Sequence, residues 1–186
     1  ELFDPASRRH RYAFTHCASC GPRAAVLSAL PWDRERSALA VFPPCAACRA
    51  EYDDPDDRRH HAETIACPAC GPRLSAFVPG GAALAGDPVE RAAEVLRAGG
   101  VVALKSSGGY HLAADATQAA AVAALRLRKV RPRKPFAVLV PDLATARRLI
   151  AMTPHDELLL GGPARAIVIA PRRDDGCAAP GIAGAG

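Results

Sequence analysis

Residues 45–73 read CAACRAEYDDPDDRRHHAETIACPACGPR. Two CxxC pairs, Cys45/Cys48 and Cys67/Cys70, stand eighteen residues apart. A CxxC turn presents two thiolates to one ion, and two pairs at this separation match the spacing of tetrahedral zinc sites. Four sulfurs at about 2.3 Å close such a site and leave no open position for catalysis. The stretch therefore predicts a four-cysteine zinc-finger module over 45–78, folded around a structural ion. Gly71-Pro72 forces a turn after the second pair. His60 and His61 are ligand types too, but four sulfurs already complete the shell. They read as surface or hydrogen-bonding residues.

The residues upstream repeat this stretch. Glu1 to Arg23 reads ELFDPASRRHRYAFTHCASCGPR; it aligns with Glu51 to Arg73 at an offset of 50 and is identical at 11 of 23 positions. The shared residues are Glu, Asp-Pro, Arg-Arg-His, both cysteines and Gly-Pro-Arg, so these are two copies of one unit. Cys17 and Cys20 then make half of another zinc site, whose other CxxC the repeat places ahead of Glu1. A lone redox CxxC leaves the repeat unexplained. The expected organisation is a chain starting inside the first module. Residues 1–44 hold the C-terminal half of that module and a connector, with Ser37–Phe42 as a short strand. Residues 45–78 are the second module, 79–86 a small-residue linker, and 87–186 the front of an α/β domain.

With 186 residues, 49% of them apolar, the chain is long enough for one ordinary domain or two small ones. No apolar run approaches the ~18 residues of a membrane span. The first residues, Glu1-Leu-Phe-Asp-Pro5, lack the basic start and apolar core of a signal peptide. A cytoplasmic, reducing location is expected, where paired cysteines hold metal more often than disulfides. Cys177 reads as an ordinary small residue.

The second half alternates helix and strand patterns, which predicts α/β architecture. Asp87-Pro88-Val89-Glu90 opens a helix that Gly99-Gly100 stops. Val101–Lys105 reads as a strand buried on both faces, followed by a glycine-bearing loop, 106–112. Ala116–Lys129 reads as a helix, Phe136–Val140 as a strand, Asp142–Ile150 and Thr153–Gly161 as capped helices, and Arg165–Ala170 as a third strand.

Two features of this half have chemical potential. Lys105 precedes Ser106-Ser-Gly-Gly109, where backbone amides can approach an anion and the lysine adds a point charge. It is not a Walker loop, since the lysine comes before the glycines. Tyr110 and His111 either line the same pocket or pack. From Arg126 to Lys134, six of nine residues are basic. The segment is either a solvated helix end, where cations favour the dipole, or a site for triphosphate or RNA. No aromatics interleave the cations, which disfavours single-stranded RNA. The net charge of +5 is compatible with each of these.

Taken together, these residues resemble the HypF family of carbamoyltransferases. The likeness lies in Cys17–Arg23, Phe42–Tyr52, Asp57–Ala62, Ala66–Arg73, Lys105–Ala116 and Leu125–Ala137. The second half alone resembles the wider YrdC/Sua5 family, whose members form aminoacyl-type adenylates. The resemblance implies a fold of small four-cysteine zinc fingers followed by a truncated YrdC/Sua5-like α/β domain, between an acylphosphatase-like and a Kae1-like domain that lie outside this chain. It implies conversion of carbamoyl phosphate and ATP to carbamoyl adenylate. The carbamoyl group then passes to the C-terminal cysteine of HypE, toward the cyanide ligand of nickel-iron hydrogenases. It places Lys105, Ser106, Tyr110, Lys129, Arg131 and Lys134 at the ATP and carbamoyl-adenylate pocket, with Mg2+ on the phosphates. It assigns Cys17, Cys20, Cys45, Cys48, Cys67 and Cys70 to structural Zn2+, and no catalytic residue to this chain alone. Two other readings are a threonylcarbamoyl-AMP synthase, whose reaction has no need of duplicated fingers, and a zinc-ribbon RNA-binding protein. Neither nucleic acid nor membrane is an expected partner.

Overall fold

The repeat in sequence is a repeat in backbone. The computed structural model describes residues 1–183 apart from Cys20, Ser107, Arg165 and Asp175. Gly21 N–H donates to Cys17 O, and Gly71 N–H to Cys67 O, both at 2.8 Å. Arg11 N–H donates to Leu2 O at 2.9 Å, and His61 N–H to Tyr52 O at 3.1 Å. Asp4 and Asp54 each accept from the amide two residues on, the local turn that aspartate favours. Arg11 and His61 both take left-handed φ, 57° and 51°. That conformation is uncommon for a residue with a Cβ, so the same costly corner occurs in both copies. These segments belong to one compact unit, Glu1–Pro88; Val89–Gly186 forms another.

In the first unit, α1 (Ala46–Asp53) begins directly after Cys45 and carries Cys48 into the interior. Ala46, Ala47, Arg49, Ala50 and Glu51 are good helix formers, so the first CxxC opens a helix that its spacing alone does not announce. The core is small: Cys48, Ile65 and Cys67, flanked by Cys45, Tyr52, Ala62 and Cys70. Gly71 is required here, because a Cβ would collide with the Tyr12 hydroxyl. The expected strand Ser37–Phe42 is absent: Ser37 makes one antiparallel bridge to Leu27, and turns follow. Arg34, from a single 3-10 turn (Arg34–Arg36), takes carbonyls in this region. It donates to Phe42 O at 2.5 Å and to Glu63 O and Ile65 O at 2.8 Å each.

In the second unit, α2 (Pro88–Arg97) ends where Gly99 adopts φ 79°. Strand β1 (Val102–Ser106) pairs antiparallel with β2 (Gly109–Ala113), from Val102 opposite Ala113 to Ser106 opposite Gly109. β1 is therefore half of an exposed hairpin rather than a strand buried on both faces, and the expected loop 106–112 is largely its partner. Helix α3 (Ala119–Arg128) buries Ala121, Val122 and Leu125. Helices α4 (Leu143–Leu149) and α5 (Pro154–Gly161) begin at the expected caps. Asp142 accepts from Thr145 N–H, and Thr153 forms a reciprocal capping box with Asp156. Val122, Ala178, Ala179 and Ile182 form the core, with Ala116, Phe136 and Leu149 against it. Residues 136–140 and 166–170 join no ladder among the described residues. Arg165, the start of that expected strand, lies outside the described residues. No described helix is long and apolar enough to cross a membrane.

Candidate functional site

The metal-ligating geometry is present in the first unit. Cys45, Cys48, Cys67 and Cys70 bring their Sγ atoms within 4.8 Å of one another. Cys45–Cys67 and Cys67–Cys70 are 3.7 Å apart, and Cys48–Cys70 3.6 Å. Bonds of about 2.3 Å in a tetrahedron put sulfurs about 3.8 Å apart, so the four residues fit zinc. Burial pushes the Cys48 thiol up to about 12, against the hydrogen bond from Arg8 that draws it down. Hydrogen bonds, first from the Cys48 backbone N–H, bring Cys45 down to about 6. Hydrogen bonds with Cys70 and Cys67 add to the rise at Cys48, and metal binding at such a site would be coupled to loss of thiol protons. Cys17 is exposed, and Cys20 lies outside the described residues.

Arginines of the first copy surround this centre. Arg8 Nη2 donates to Cys48 Sγ at 3.3 Å and pairs with Glu51 at 2.7 Å. Arg9, only 1% exposed, reaches Cys48 Sγ at 3.7 Å and Glu51 at 2.6 Å, and donates to Ala66 O at 2.8 Å. The equivalent arginines of the second copy, Arg58 and Arg59, pair with Glu1. Burial pushes the carboxyls of Glu1 and Glu51 up, but these arginines outweigh it and hold both below the usual carboxylate range.

The second unit holds the other candidates. Lys105 and Tyr110 face each other across the β1–β2 register, with Lys105 Nζ 5.4 Å from the Tyr110 ring centroid, and both are exposed. Ser106 Oγ donates to Gly109 O at 3.2 Å and closes the hairpin tip. Lys129 caps α3; Arg131 is half-buried, and Lys134 exposed, in the loop beyond. Among the described residues, no carboxylate pairs with Lys105, Lys129, Arg131 or Lys134.

Arg126 proves different from the other cations of the cluster. It donates to the carbonyls of Arg131 and Gly181, to Lys134 O at 3.2 Å and to Ile182 O at 3.3 Å, and stacks on Phe136 at 4.4 Å. One guanidinium thus fixes the turn that displays the remaining cations. Between them Val130 sits at φ 47°, a β-branched residue in the left-handed region, at a cost of about 1–3 kcal/mol. In the sequence, Pro132 and Pro135 are the sign of this rigidity.

Comparison with known proteins follows the same division. The sequence model of the HypF finger matches residues 1–27 and 45–77, so both copies are fingers of one type. A model of the Sua5/YciO/YrdC family, described as telomere recombination, matches residues 94–183. The carbamoyltransferase HypF of Rhodobacter capsulatus is 51% identical over 166 residues, 89% of this chain and 22% of that protein. HypF2 of Cupriavidus necator is 49% identical over 174 residues, 93% of this chain and 22% of the relative. Among solved structures, T. kodakarensis HypF matches with a TM-score of 0.92 at 40% identity, over 99% of this chain and 24% of that one. Full-length HypF in its phosphate- and nucleotide-bound form matches at 0.89 and 42%, over 98% of this chain and 24% of that one. The chain spans less than a quarter of the length of these relatives.

Proposed function

We propose, because this chain belongs to the HypF carbamoyltransferase family over most of its length, that it is the part of such an enzyme holding the finger pair and cations of the nucleotide pocket. The reaction has two group-transfer steps. A carbamate oxygen, derived from carbamoyl phosphate, attacks the α-phosphorus of ATP, which enters with Mg2+, and pyrophosphate leaves. The thiolate of the acceptor, the C-terminal cysteine of HypE, then attacks the carbamoyl carbon, and AMP leaves. Cyanide-ligand synthesis for nickel-iron hydrogenase follows on HypE. Cys45, Cys48, Cys67 and Cys70 would hold zinc with four sulfurs, and such a site would supply structure rather than chemistry to either step.

The observation that carries this reading is the joint homology of both units to one family. Likeness of the second unit alone would fit threonylcarbamoyl-AMP formation equally. The cation loop suits the first step. Lys129, Arg131 and Lys134 are displayed from a turn pinned by Arg126, and charge fixed in advance is the main device for stabilising a leaving pyrophosphate. Lys105, Ser106 and Tyr110 at the hairpin would orient the rest of the adenylate. Adenylation is tested by ATP–pyrophosphate exchange on the natural polypeptide that carries this chain. Exchange dependent on carbamoyl phosphate is expected. Exchange driven only by threonine plus bicarbonate would overturn the reading and point to tRNA modification.

A further inference from the structure

We propose that the two finger copies pair through crossed arginine–glutamate contacts, in which the Arg8-Arg9 dyad of the first copy holds the zinc-ligating Cys48 sulfur of the second, so that the Cys45–Cys70 centre is built from both copies. The proposal rests on the zinc reading of Cys45, Cys48, Cys67 and Cys70. Arg8 and Arg9, in the first copy, reach Cys48 Sγ at 3.3 and 3.7 Å and Glu51 at 2.7 and 2.6 Å, both in the second. Fifty residues on, Arg58 reaches Glu1 at 2.9 Å and Arg59 contacts the same carboxylate. Glu1 is the repeat equivalent of Glu51. A two-fold contact is recognised when residue i of one copy meets j of the other and j meets i. The two arginine–glutamate crossings satisfy that condition.

The chemistry favours such a clamp. Four thiolates on one divalent ion carry a net charge of −2, and guanidinium donors to a thiolate are charge-assisted. Arg9 touches both halves of the centre, since its Nε donates to Ala66 O, next to Cys67, while its Nη2 faces Cys48. Groups behind the ligands orient them and set how firmly the ion is held. Glu51 keeps both guanidiniums in place, because a buried cation stripped of its counter-charge is strongly unfavourable. An ordinary packing role for the dyad would leave zinc retention untouched.

The test is zinc transfer from this chain to the chromophoric chelator 4-(2-pyridylazo)resorcinol, with circular dichroism as a check on folding. Arg8→Gln and Arg9→Lys are each expected to speed release from the Cys45–Cys70 centre by about ten-fold or more. Arg58→Gln, which donates to no sulfur of that centre and reaches the dyad only through Glu1, met by Arg9 Nη1 at 3.4 Å, is expected to change that rate far less. Arg8→Gln is the milder variant, since a third of that side chain is exposed. Unchanged release in both dyad variants overturns the clamp, and so does equal acceleration by Arg58→Gln, which touches no sulfur of the centre. Zinc content of the unsubstituted chain is a separate readout: an absence of zinc would sink the metal reading itself.

Discussion

Replacing Arg9 with methionine should cost the first unit about 3 kcal/mol, and the figure can be built from its contacts. Methionine keeps the apolar stem in place, so the loss is that of the guanidinium. Removing one partner of a buried ion pair costs about 3–5 kcal/mol. Arg8 remains on Glu51 at 2.7 Å, which moves the expectation to the lower end. The orphaned carbonyl of Ala66, which accepted at 2.8 Å, accounts for about 1 kcal/mol of that total. With a urea dependence of about 2 kcal/mol per molar, the midpoint falls by roughly 1.5 M. The assay is urea unfolding of zinc-loaded protein at fixed free zinc, since bound metal shifts apparent stability. Glu51→Gln removes the same pair from the other side, so the double variant should fall short of additivity by about 1 kcal/mol or more. A midpoint shift below roughly 0.3 M for Arg9→Met, about 0.6 kcal/mol, would refute the reasoning and make the pair a surface contact in energetic terms.

Other expectations follow from the same geometry. Cys67→Ser should abolish stoichiometric zinc and unfold residues 45–73, because the ion supplies most of the folding energy of such a module; retained zinc and unchanged circular dichroism would exclude the four-sulfur centre. The folded-state Glu51 carboxyl lies below its ordinary 4.5, so its pair is fully present above that pH and lost as pH falls through the folded value. The stability gap between wild type and Glu51→Gln should therefore be constant from pH 7 to 5 and narrow below about 4.5; a gap flat to pH 3 would contradict this. Arg126→Met should raise amide exchange across residues 131–136 by about ten-fold or more, since several charged-donor bonds to carbonyls are lost. Lys129→Gln should lower carbamoyl-phosphate-dependent pyrophosphate exchange by about 10²-fold with little change in zinc content.

The cysteine centre is legible in sequence because CxxC spacing is local chemistry: the ligands announce both the ion and the turn. Asp142 and Thr153 are legible for the same reason, as each caps a helix within three residues of itself. What escapes is whatever depends on a distant partner. Phe136–Val140 and the segment before Ala170 carry β-branched residues, yet a strand is made by its neighbour, and the described residues supply none. The hairpin is hidden for the opposite reason: β2 starts at Gly109, with φ 127°, so its sequence resembles a loop. Arg126 looks like one more cation until its carbonyl partners are seen. The Arg-Arg-His of the repeat is plain in the sequence, but its reason, a crossing of each dyad to the other copy's glutamate, exists only in three dimensions.

The two strand-like sequences that join no ladder also bear on how the chain behaves as a material. Ile167 and Ile169 are 83% and 93% exposed, and Leu139 is 99% exposed. The run Ala166-Ile-Val-Ile-Ala170 has no charge and no proline, the composition that stacks into intermolecular sheets when its backbone is unpaired. Arg165, Pro171, Arg172 and Arg173 flank it as gatekeepers. Produced at high concentration by itself, the chain should self-associate through this run. Ile167→Lys, or added salt that screens the flanking arginines, would shift its solubility in opposite directions.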